Sequence, residues 1–106
     1  MLDVDLDGLS PYELGLSRDP AAVQLLQRYL ERGQTNERRL AASAIRKLVP
    51  IFRAECEVTI PALLRCAEDP APQVRQYALS ALLRMRLPRS AGELLRRIAS
   101  QDEKAY

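Results

Sequence analysis

The sequence predicts an all-α fold built from helical hairpins that recur along the chain. Three observations predict it. Apolar residues return with the period of an α-helix in five segments, no segment alternates with period two for long enough to form a strand, and two of the helical pairs superpose on each other in sequence. One Phe, four Tyr and no Trp among 106 residues agree, because strands favour aromatic residues. A chain of this length makes one domain at most.

Ser10-Pro11-Tyr12-Glu13 has the form of a capping box, so a short helical turn is expected near 11–16. In VQLLQRYL, Val23, Leu26 and Leu30 share a face; Asp19-Pro20 reads as an N-cap followed by Pro at the first helical position. Gly33 is expected to end that helix by entering the left-handed conformation. NERRLAASAIRKL is the next helix, with Leu40, Ala41, Ala44, Ile45 and Leu48 on its core face, Thr35 or Asn36 as its cap and Pro50 as its stop. TIPALLRCA brings Ile60, Leu63, Leu64 and Ala67 together, and QVRQYALSALLRM does the same for Val74, Ala78, Ala81, Leu82 and Met85. Between them, Asp69-Pro70-Ala71-Pro72 is a tight corner with Pro72 opening the second of the two helices. Pro88 ends that helix, and a last one over 90–100, capped by Ser90, offers Leu94, Leu95 and Ile98.

Connections this short make successive helices pack as antiparallel hairpins. Moving residues 23–49 forward by 37 onto 60–86 aligns Leu26 with Leu63, Arg28 with Arg65, Glu31 with Glu68, Arg38 with Arg75, Ala41 with Ala78, Ser43 with Ser80 and Ala44 with Ala81. A helical hairpin recurring at this period is the signature of an α-solenoid.

The stretch IPALLRCAEDPAPQVRQYALSALLRM resembles a HEAT repeat. Pro61, Leu63 and Leu64 match the family's A helix, Asp69 its turn acid, and Val74, Arg75, Ala78, Ala81 and Leu82 its B helix. The first copy departs from the pattern, with Gln24 for the Pro, Arg32 for the Asp and Glu37 for the Val. The resemblance implies a right-handed α-α superhelix of about five helices, two hairpins plus a terminal helix, with repeats near 19–52 and 55–87 and a partial third over 88–100. An acidic lead-in, 1–18, would precede this repeat domain of 19–100, and a tail, 101–106, would follow it. Either the lead-in and last helix cap the array or the chain is a stretch of a longer one; the reading leans to the second. The resemblance also gives Asp69, Arg75, Pro61 and Pro72 structural roles, Arg75 pairing with the turn acid of its own or a neighbouring repeat, and Arg38 acting likewise in the first copy.

Composition narrows the chemistry. The chain has no His, which removes Ser-His-Asp and Cys-His nucleophilic sites and His-containing metal sites. For the same reason it excludes the iron-binding oxygenases that share the HEAT-like scaffold. Two cysteines, Cys56 and Cys66, are too few for a disulfide framework or a zinc site and are expected to be reduced and partly buried. Asp3-Val4-Asp5-Leu6-Asp7-Gly8 matches the opening of a calcium loop, but its twelfth position is Leu14 rather than the required bidentate Glu. No metal, cofactor or catalytic residue is expected. The acidic opening MLDVDLDG has no signal-peptide pattern and no apolar run approaches a membrane span, so a reducing cytoplasmic location is the expectation.

Charge carries the functional signal. Residues 1–19 hold five acids and one base, whereas residues 20–100 hold fourteen bases against seven acids, and thirteen of those bases are Arg. Arg suits bidentate binding of carboxylate or phosphate. B helices line the concave face in the solenoids this sequence resembles, which would align Arg39, Ser43, Arg46 and Lys47 beside Gln76, Ser80 and Arg84. The leading expectation is a non-catalytic interaction module that binds an acidic protein or peptide through this face. A nucleic-acid-binding accessory domain of a DNA- or RNA-processing enzyme is the alternative. A subunit resembling the phycobilin lyases, which use this short repeat type, is a second alternative. The aromatic residues Tyr12, Tyr29, Phe52 and Tyr77 are assigned to packing.

Overall fold

In the computed structural model, which describes residues 6–85 and positions 87, 89, 92, 93, 96 and 97, helices form where the apolar periodicity places them. After a 3₁₀ turn at Leu6–Gly8 come α1 (Pro11–Leu16), α2 (Ala22–Arg32), α3 (Thr35–Leu48), α4 (Arg53–Cys56), α5 (Ile60–Cys66) and α6 (Pro72–Leu82). The last helix expected over 90–100, with its cap and core residues, and the tail lie outside the described residues, apart from a few positions. Of these, Arg89 and Glu93 form an exposed ion pair at 3.6 Å.

Each boundary has a local cause. The capping box before α1 forms: the Ser10 N–H donates to Glu13 Oε1 at 3.0 Å and the Glu13 N–H to Ser10 Oγ at 3.2 Å. Asp19 caps the approach to α2 rather than the helix itself, since its Oδ1 accepts the Ala21 N–H at 2.9 Å and the helix begins at Ala22. Gln34, not Thr35 or Asn36, is the N-cap of α3, and Glu37 accepts the Gln34 N–H at 2.9 Å. Pro72 opens α6 as expected, where a missing N–H has no partner to lose.

Gly33 corrects the sequence reading. Its backbone is extended, with φ −72° and ψ 164°, so no left-handed conformation is involved. A Cβ there would instead meet the Tyr29 carbonyl oxygen at 2.5 Å and the Glu37 Cβ at 2.9 Å. Glycine is needed because α2 and α3 turn back on each other too closely for a side chain. Among the described residues, the positive φ belongs to Arg18, at 53°.

The core is one layer of aliphatic side chains between the hairpins. Leu14, Leu26, Ile45, Leu48, Leu63, Leu79 and Leu82 are all fully buried, each contributing about 1.5–3 kcal/mol by removal from water. α3 is the hub. It packs most extensively on α6, then on α2 and α1, while α5 packs on α6 and α2. Alanines at 41, 42, 44, 78 and 81 are buried, and side chains this small let α3 and α6 approach their neighbours closely. Ala42 is fully buried whereas Leu40 is half-buried, a rotation of the buried face from the one the apolar spacing suggests.

α4 and the 3₁₀ turn Glu57–Thr59, which lead into α5, have no apolar periodicity of their own and are additions to the elements expected from sequence. Thr59 is fully buried there and satisfied, its hydroxyl donating to the Cys56 carbonyl at 2.6 Å. Pro61 sits exposed in the first turn of α5. Both cysteines are free and buried on separate elements, Cys56 ending α4 and Cys66 ending α5. Burial pushes each thiol up to about 11, and the Cys66 thiol lies 3.6 Å from the Leu30 carbonyl oxygen. Among the described residues, no helix is long and apolar enough to cross a membrane.

Candidate functional site

Two helices present the residues singled out by charge. Arg39, Ser43 and Lys47 follow one another at i, i+4 and i+8 along α3, and Gln76, Ser80 and Arg84 do so along α6 and the turn that continues it. Each residue of one row is the 37-residue equivalent of one in the other. Because α3 and α6 pack against each other, the rows lie on neighbouring helices.

The individual side chains differ in how free they are. Arg39 is half-buried, and its Nε and Nη2 both donate to Asn36 Oδ1 one turn earlier, a neutral partner that orients the guanidinium without cancelling its charge. Lys47 is exposed, with Nζ 5.2 Å from the centre of the Tyr12 ring. That contact spans α1 and α3 and gives the exposed Tyr12 a role beyond core packing. Ser43, Gln76 and Ser80 are half-buried, and Arg84 is exposed. Arg46, seven residues from Arg39 and on the same side of α3, is half-buried, and its Nε is shielded from solvent with no hydrogen-bond partner.

The structural residues form a knot beside this face. Arg38 Nε donates to Asp69 Oδ2 at 2.7 Å and Nη2 to Oδ1 at 3.3 Å, so the first hairpin supplies the cation for the turn acid of the second. Arg75 Nη1 donates to the backbone carbonyls of Asp69 and Pro70, at 2.9 and 3.1 Å. Burial alone would raise the pKa of Asp69. The Arg38 hydrogen bonds, the Ala71 N–H and the charges of Arg38 and Arg75 outweigh it and hold the carboxyl below its ordinary value. Asp69 therefore stays ionised, and Arg38 is held protonated by the same contact.

Among the described residues, no three His, Cys, Asp or Glu side chains are grouped to hold a metal ion. Of the calcium-loop-like opening, Leu6–Gly8 form the 3₁₀ turn and positions 3–5 lie outside the described residues. A shallow groove of about 370 Å³ lies between the segment Leu6–Leu9 and the flank of α2, lined by Leu25, Arg28, Tyr29 and Arg32 among others. The charge pattern did not single it out, because its two arginines belong to an A helix. The i,i+4 spacing of Arg28 and Arg32 was the available signal.

The HEAT repeat family model matches residues 59–85, which comprise α5, the Asp69–Ala71 corner, α6 and the residues up to Met85. No curated protein and no solved structure matches the chain.

Proposed function

We propose that the chain is a non-catalytic helical-repeat module that binds an acidic protein surface through the outward rows of α3 and α6. The carrying observation is the one-sided charge of these two helices. Glu37 is the sole acid of α3 and α6 has none; the Glu37 carboxylate is occupied by the Gln34 N–H, and that of nearby Asp69 by Arg38. Arg39, Lys47 and Arg84 then face outward with no carboxylate partner among the described residues. Cations left unneutralised on adjacent helices steer an acidic partner and select against basic ones. Arg46 contributes through packing more than through contact with a partner. The reading takes the two hairpins as turns of a right-handed α-α superhelix, working in a reducing cytoplasm where the buried thiols stay free.

Partner recovery by the wild-type chain and by an Arg39→Glu/Arg84→Glu variant, together with duplex DNA binding measured against salt, tests this. The proposal expects the variant to lose the acidic proteins that the wild type recovers. Tight DNA binding that weakens steeply as salt rises would favour a nucleic-acid role instead.

A further inference from the structure

We propose that the flank of α2 carrying Leu25, Arg28, Tyr29 and Arg32 docks an acidic helical segment of a partner protein, seated where the A helix of a preceding repeat would lie. The internal repeat supplies the argument. Arg28 is the 37-residue equivalent of Arg65. Arg65 pairs with Glu31 of the preceding A helix at 3.2 Å, and α5 packs on α2 along that side. The first hairpin's equivalent cation has no such carboxylate: neither Arg28 nor Arg32 has a hydrogen-bonding or ionic partner among the described residues. Arg28 therefore sits where this chain's own geometry would pair it with a Glu from the neighbouring A helix.

Arg32 extends the argument by reversing a sign. It occupies the position equivalent to Asp69, which in the second copy receives Arg38 from the preceding hairpin. A preceding repeat that kept this arrangement would bring an Arg toward Arg32, and like charges would oppose it. The substitution favours an acidic neighbour over one more copy of the same repeat. Arg28 and Arg32, four residues apart on one helix, present a two-cation ladder that matches carboxylates spaced by one helical turn.

Among the described residues, the cover on this end is also partial. α1 packs on α3 and less extensively on α2, and the rest of the α2 flank meets the 3₁₀ turn with Leu6 and Leu9, tethered by the Tyr29 hydroxyl donating to the Leu9 carbonyl at 3.4 Å. The resulting groove of about 370 Å³ falls in the range of recognition pockets, roughly 300–1,000 Å³. Its floor of Leu9, Leu25 and Tyr29 suits an apolar side chain set between the two carboxylates, as in helix-in-groove recognition.

The test is fluorescence anisotropy of a labelled amphipathic peptide carrying Glu pairs at i,i+4 beside a Leu stripe, against a matched peptide with Gln for Glu. The expected result is binding of the Glu peptide that falls about tenfold or more in Arg28→Glu/Arg32→Glu, with little change in Arg39→Glu/Arg84→Glu. A Lys version of the peptide should in turn bind the Arg28→Glu/Arg32→Glu variant. Equal binding of the Gln peptide, or equal binding by Arg28→Glu/Arg32→Glu, would overturn the proposal. So would loss of binding in Arg39→Glu/Arg84→Glu, which would assign the peptide to the α3–α6 face. Binding that emerges only in an Asp3→Asn/Asp5→Asn variant would assign the groove to the chain's own acidic opening and also overturn it.

Discussion

Arg38 and Asp69 join the two hairpins through a two-pronged ion pair, at 2.7 and 3.3 Å, and each partner is anchored a second time. Arg38 Nη1 also donates to the Gly33 carbonyl at 2.8 Å, while Asp69 Oδ1 accepts the Ala71 N–H at 2.9 Å. One guanidinium thereby ties the end of α2 and the start of α3 to the corner between α5 and α6. Register between the copies is set by these polar contacts as well as by the alanine-rich contact of α3 with α6.

This pair is not a surface salt bridge, because the side chains are only 23% and 10% exposed. Arg38→Ala and Asp69→Ala should each destabilise the fold by about 1–3 kcal/mol. In a double-mutant cycle measured by urea unfolding, the pair should show about 1 kcal/mol of coupling or more. The exposed Glu31–Arg65 pair should show much less.

Acid should weaken the same contact. The folded-state pKa of Asp69 is depressed, so its contribution is fully present above the ordinary Asp value of about 3.9 and is lost as pH falls from there through the folded-state value. The stability difference between wild type and Asp69→Asn should be constant near neutral pH and shrink in strong acid. Unfolding curves from about pH 6 down to pH 2 check this.

α1 approaches α3 through Gly15, where an added Cβ would lie 2.8 Å from the Ala44 Cβ and 3.1 Å from its Cα. Gly15→Ala should cost about 1–3 kcal/mol by pushing α1 off α3. It should also separate Tyr12 from Lys47. Ala44→Gly alone costs about 1 kcal/mol in helix propensity, but combined with Gly15→Ala it should recover part of the loss. Thermal unfolding of the four variants in the cycle measures it.

Both thiols should resist alkylation in the native state. They are buried and their pKa values are raised to about 11, so the reactive thiolate is scarce near neutral pH. Labelling by iodoacetamide should be slow for both cysteines and rise to the rate of model thiols in denaturant. Fast labelling of either in native buffer would contradict the packing described for α4 and α5.

Helix placement was legible because burial here follows the 3.6-residue period, as Val23, Leu26 and Leu30 or Val74, Ala78 and Leu82 show. The corner at Asp69 was legible because Pro and Asp act locally. Gly33 was misread because its constraint comes from Tyr29 and Glu37, a packing effect that a dihedral preference does not reveal. Ala42 was missed, since alanine carries too weak an apolar signal to mark a buried position. The Arg38 pairing could be inferred from the repeat, but which atoms Arg75 would bind could not. The α2 flank emerged only once the structure showed which arginines already have partners.

The most direct test of the central claim is partner recovery by three chains: wild type, Arg39→Glu/Arg84→Glu, and Arg18→Glu/Arg53→Glu as a control reversed to the same extent at exposed positions outside both proposed binding faces. The account predicts that acidic proteins bound through the α3–α6 rows are recovered by the wild type and the control and are lost from Arg39→Glu/Arg84→Glu. Undiminished recovery by Arg39→Glu/Arg84→Glu, in a chain that circular dichroism shows to be folded, would contradict it.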